Sequence, residues 1–97
     1  MTTIHRISLS NQKLKIQEGA VLLKVGGTGE TLSAWFLVDT EAKMETRHIM
    51  AFPTGAPLPP NVWDTRHIDT IATSKGAIHV FEFTAAQMAA MKQGGAQ

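Results

Sequence analysis

The chain has 97 residues, 43% of them hydrophobic, and nine Lys and Arg against eight Asp and Glu give a formal charge of +1. That length suits one compact domain, residues 1–97, and no division into two. So small a charge excludes general phosphate neutralisation and disfavours nucleic acid as a partner.

Other absences bear on localisation. No apolar run approaches the roughly 20 residues of a membrane-spanning helix, so no membrane insertion is expected. Cysteine is absent and Met1–Ile7 lacks the charged, apolar and small-residue succession of a leader, which favours a cytoplasmic protein. A chain of this size buries enough surface to fold without a metal or disulfide.

Ile4–Leu9 alternates Ile4, Arg6 and Ser8 against His5, Ile7 and Leu9. Lys13–Ile16 alternates again after Asn11-Gln12, and both segments read as strands. Residues 20–25 and 32–38 are apolar runs separated by Gly26-Gly27-Thr28-Gly29-Glu30, the strongest hairpin signal of the chain. A phosphate-binding loop is a poorer reading of that glycine cluster, because it lacks the Lys of the motif and leads into a strand instead of a helix. The short polar link Asp39–Lys43 then predicts a further antiparallel strand beside the hairpin, from Glu45 to about Phe52, extending a meander.

All four prolines fall between Pro53 and Pro60, where they block ladder donation and helix propagation and predict a long stiff loop. Strands resume over residues 66–73, turn at Ser74-Lys75-Gly76, and end with residues 77–83. Thr84 and Gln87 have capping-box spacing, so a short helix is expected over 84–93, with Gly94-Gly95 as its stop. The sum is an all-β, mainly antiparallel domain over 2–83, a small sandwich or partly open barrel of about six or seven strands, with a C-terminal helical extension.

Several strands are apolar on both faces. Ala34, Phe36 and Val38 oppose Trp35 and Leu37, while Ala77, His79, Phe81 and Phe83 oppose Ile78 and Val80. The second face must meet another sheet, the terminal helix through Met88 and Met91, or another subunit, and the balance favours a homo-oligomer, a dimer. Trp35 reads as core.

Glu45-Thr46-Arg47-His48-Ile49 recurs as Asp64-Thr65-Arg66-His67-Ile68. Two Arg-His couples would suit a small anionic ligand. In the first copy His48 alternates with the bulky Met50 and Phe52, which puts His48 inside and Arg47 outside. In the second, Arg66 shares the side of the more apolar Ile68, Thr70 and Ala72, and His67 joins Asp69 outside. On that reading the copies do not present alike, and ordinary strand surface is the stronger interpretation. His67 and Asp69, with His48 or His5, are too sparse for a metal centre, no nucleophile lies beside them for catalysis, and no cofactor motif is present. Pro57-Leu58-Pro59-Pro60 carries P-x-x-P spacing but reads first as a structural connector, and Trp63 is expected to anchor this loop on the sheet, with a binding hot spot as the alternative. A partner-binding surface of Arg47, Leu58, Trp63, His67 and Asp69 is therefore expected, and no catalytic centre.

In order, Ala34-Trp35-Phe36-Leu37-Val38-Asp39, Glu45-Thr46-Arg47, Thr54-Gly55 with Leu58-Pro59, Ile68-Asp69-Thr70-Ile71 and His79-Val80-Phe81-Glu82 resemble a family of short phage and prophage proteins of unknown function, over about residues 2–83. Asp69 departs from the small residue usual before that Thr, and the helix after Phe83 looks like an extension. The resemblance implies a phage accessory protein that binds a host protein and inhibits a host defence system, an anti-CRISPR-like role. An assembly or virion accessory protein is the alternative, which two-sided apolar strands also suit.

Overall fold

The computed structural model describes residues 1–9, 13–27 and 31–94. Seven strands lie among them: β1 (Thr2–Ser8), β2 (Lys13–Gln17), β3 (Val21–Gly27), β4 (Leu32–Asp39), β5 (Met44–Pro53), β6 (Arg66–Thr73) and β7 (Gly76–Phe83). A helix, α1 (Ala85–Gly94), follows. The strands form two antiparallel sheets, β1-β4-β3 (sheet A) and β2-β5-β7-β6 (sheet B), packed as a sandwich with no closed barrel. The Asn11-Gln12 break, the tip of the glycine hairpin and Gly95 lie outside the described residues.

The core lies between the sheets. Leu14 and Ile16 of β2, Val25 of β3, Ala34, Phe36 and Val38 of β4, Ile49 of β5 and Val80 of β7 make one buried cluster with Ala20. Each buried aliphatic or aromatic side chain contributes roughly 1.5–3 kcal/mol. Alternation fixes the rest: with Phe36 inside, Trp35 and Leu37 must face outward on sheet A. Trp35 is thus on the outer face and not in the core, with its ring against the backbone of Gly26, where a Cβ would meet Cζ3 at 3.5 Å.

Two further expectations are corrected. The strand after Asp39 does not extend a meander: β4 is already flanked by β1 and β3, so no edge is free and β5 crosses into sheet B. Part of the proline segment is helical, because Pro60 occupies the first turn of a short 3-10 helix, Pro60–Asp64, where a missing N–H costs nothing. Two β-bulges were not foreseen. The unpaired residues, Leu23 and Ile68, restore the faces, so that Leu22 and Ile68 reach the core while Lys24 faces outward.

The capping box at the start of α1 forms as expected. Gln87 N–H donates to Thr84 Oγ1 at 3.1 Å and Thr84 N–H donates to Gln87 Oε1 at 2.8 Å. α1 lies against β5, on the outer side of sheet B, where Met50 and Phe83 are buried. No helix among the described residues is long and apolar enough to cross a membrane.

Candidate functional site

Glu82 sits directly between the two repeated pentapeptides. On β7 it opposes Ile49 of β5 on one side and Arg66 of β6 on the other. Directly opposed residues share a face, so Arg47, Ile49, Arg66 and Glu82 all lie on the core side of sheet B. Both copies therefore present alike, Arg towards the other sheet and His away from it. The expectation that Arg47 points outward and His48 inward is overturned. The bulkier set His48, Met50 and Phe52 is buried, or half-buried, on the opposite face, which α1 partly covers.

Arg47 is fully engaged. Its Nε and Nη2 donate to Glu82 Oε2 and Oε1 at 2.6 and 2.7 Å, and its Nη1 donates to the Ala20 carbonyl at 2.7 Å. The guanidinium carbon lies 5.3 Å from the centroid of the Phe36 ring, on sheet A. The two side chains are 14% and 17% exposed. Hydrogen bonding to Glu82 holds the Arg47 guanidinium above its ordinary range against desolvation, with smaller support from the charges of Glu82 and Glu45. A fork already satisfied on three nitrogens clamps β5, β7 and the turn before β3 together. Arg66 lies on the edge strand and is exposed, so the difference between the copies is strand position, not orientation.

The expected pairing of His67 with Asp69 also fails. The bulge at Ile68 turns Asp69 to the Val80 side, where its Oδ1 accepts the Thr70 N–H at 2.8 Å, while His67 opposes Phe81 on the outer face. There His67 packs edge-on to Phe81, 5.2 Å between centroids. Its Nε2 meets Thr70 Oγ1 at 2.9 Å, Thr70 Oγ1 meets His79 Nδ1 at 3.0 Å, and His79 Nε2 meets Thr54 Oγ1 at 2.6 Å. This exposed His-Thr-His-Thr chain has no acidic member. Among the described residues no three His, Cys, Asp or Glu side chains are grouped closely enough to hold a metal ion.

Two of the hollows among the described residues flank these strands near α1 and the proline loop. One of about 390 Å³ lies where β5, β6 and β7 meet α1 and is lined by Glu45, Arg47, His48, Asp64, Arg66 and Glu82, among others. Its signs of charge are mixed and its central Arg47 and Glu82 satisfy each other. His48 Nδ1 is buried without a hydrogen-bond partner. The other, about 300 Å³, is largely apolar, between Phe52 and Phe81 and the loop residues Ala56 and Leu58.

Leu58 and Trp63 are exposed on the loop that closes this side. Trp63 does not anchor the loop on the sheet: it is 90% exposed. The turn that carries it is nevertheless fixed. Val62 N–H donates to the Pro59 carbonyl, Thr65 N–H and Oγ1 both donate to the Val62 carbonyl, Asn61 Nδ2 donates to the Gln87 carbonyl, and Gln87 Nε2 donates to the Asp64 carbonyl. Of the five residues expected to form one surface, the fold leaves Trp63, Leu58 and His67 accessible, half-buries Asp69 and withdraws Arg47.

The outer face of sheet A is the second apolar face expected for the strand at residues 32–38. Its central row is Ile4, Leu37 and Val21, directly opposed across three strands and 56%, 38% and 54% exposed. Leu23, in the bulge beside them, is also exposed. The alternation of β4 carried this signal through Leu37, whereas Ile4 and Val21 join it only through the strand order.

No curated protein and no solved structure matches the chain. A family model described as a domain of unknown function (DUF7352) matches residues 1–90, and the chain belongs to that family.

Proposed function

We propose that the chain is a non-enzymatic binding protein that recognises a protein partner through the proline loop and the 3-10 turn after it. The observation that carries this reading is Trp63, held in solvent on a turn tied to α1 by hydrogen bonds from Asn61 Nδ2 to the Gln87 carbonyl and from Gln87 Nε2 to the Asp64 carbonyl. An exposed Trp on a fixed turn loses little conformational entropy on docking, and Trp is enriched among residues that dominate interface energy. Leu58, in the extended Pro57–Pro60 segment beside the apolar hollow, supplies a second anchor.

The resemblance to phage and prophage proteins supports a host protein as that partner and inhibition of a host defence system as the outcome. An assembly or virion accessory role is the alternative. Binding by the Arg-His strands to a small anion loses support, since Arg47 is committed to Glu82 and Ala20.

The test compares wild-type, Trp63→Ser and Leu58→Asp baits in lysates of several bacterial hosts, with recovered proteins identified by mass spectrometry. A stoichiometric partner retained by wild type and lost by both variants is expected. A partner held equally by all three baits, or none in any host, overturns the reading. Presence of the chain in purified virions would move the role to assembly.

A further inference from the structure

Sheet A presents three successive bands on its uncovered face. At one end Arg6 and Lys24 flank Trp35, all three in direct register. The middle band is the apolar row Ile4, Leu37 and Val21. At the other end Thr2 opposes Asp39, which is followed in the turn by Glu41. Arg6 and Lys24 are exposed and form no ion pair among the described residues. Asp39 and Glu41 are 61% and 84% exposed, 3.6 and 3.3 Å from the Met1 amine.

This order is complementary to itself. Trp35 and Asp39 are each two residues from Leu37, about 6.6 Å along the strand in either direction. A two-fold axis lying in the interface plane above Leu37, perpendicular to the strands, lays one copy's apolar row on the other's and brings the Arg6 and Lys24 band of each against the Asp39 and Glu41 band of its mate. Sheets stacked face to face keep their strands within about 30° of parallel or antiparallel, which permits that register. An isologous interface of this kind closes at two subunits. We propose that the outer face of sheet A is a homodimer interface, with the apolar row at its centre and the two charged bands paired across the two-fold.

Three strands about 4.8 Å apart make a small face, toward the low end of specific interfaces, below about 1,200 Å² in total. Association is accordingly expected at roughly 10–100 µM. Trp63 and Leu58 belong to other elements, so loss of the dimer and loss of the partner are separate outcomes.

The experiment is sedimentation equilibrium of the full chain from about 1 to about 500 µM. Wild type should pass from monomer to dimer over that range, and Leu37→Asp should remain monomeric. Two charge-reversed chains test the register: Arg6→Glu with Lys24→Glu, and Asp39→Lys with Glu41→Lys. Each alone should self-associate at least about tenfold more weakly than wild type, and a mixture of the two should form a heterodimer of near wild-type strength. A wild type that stays monomeric at every concentration, or a Leu37→Asp chain that dimerises like wild type, overturns the interface. A mixture no stronger than its components overturns the charge pairing.

Discussion

The two outer faces of the sandwich have opposite fates. Sheet B carries Met50, Phe81 and Phe83 outward, where α1 lies against β5 and Met50 and Phe83 are buried. Sheet A carries Ile4, Leu37 and Val21 outward, and nothing among the described residues covers them. Similar apolar content therefore has different surroundings: on sheet B it adds to the stability of the fold, whereas on sheet A it stays exposed. Covering, not composition, separates a second core from a contact surface.

The largest expected effect lies on the covered face. Phe83→Ala should lower unfolding free energy by about 3–5 kcal/mol in chemical denaturation, while Leu37→Ala, measured on dilute monomer, should change it by about 0.5 kcal/mol or less. Equal losses at both positions would erase the distinction between the faces.

The interior that both faces share is tested by Arg47→Ala, which strands the Glu82 carboxylate and should cost about 3 kcal/mol. Because the guanidinium is held above its ordinary range, its contribution is fully present below that range and lost only as pH rises through the raised value. The deficit should thus be constant between about pH 6 and about pH 9, as read by urea melts. Arg66→Ala, on the exposed edge, should cost about 0.5 kcal/mol or less.

Removing the cap is milder. Thr84→Ala should cost about 1 kcal/mol and raise amide exchange throughout α1 before it affects β7. A helix with unchanged exchange would mean that α1 is held without its capping box. The smallest effect is expected at the outer rim of sheet B: Thr70→Val breaks the link between His67 and His79 and should cost about 0.5–1 kcal/mol, with a change in the imidazole NMR signals of both histidines.

The strands, their antiparallel character and the terminal helix were legible because period-two alternation and the Thr84–Gln87 spacing are local signals. Which sheet a strand joins is not local. Asp39–Lys43 is short enough for a hairpin, yet β4 had no free edge, so β5 crossed over. Face assignment failed where charge was matched inside. His48, Met50 and Phe52 are bulkier than Arg47, Ile49 and Ala51, but Glu82 and the Ala20 carbonyl supply Arg47 with partners that no spacing along β5 reveals. The bulge at Ile68 separated His67 from Asp69 for the same kind of reason, since one unpaired residue inverts everything after it. Trp63 was expected to anchor the loop on the sheet, and its exposure overturns that expectation, because spacing along the chain does not show which way a loop side chain turns.

The two tryptophans report on different surfaces: Trp35 lies between Arg6 and Lys24 on sheet A, and Trp63 on the loop. In a Trp63→Phe chain, acrylamide quenching of Trp35 reads the sheet A face alone. The quenching constant should fall as protein concentration rises through the range of association, because the mate covers the indole. A constant that does not change with concentration would contradict a dimer closed over that face.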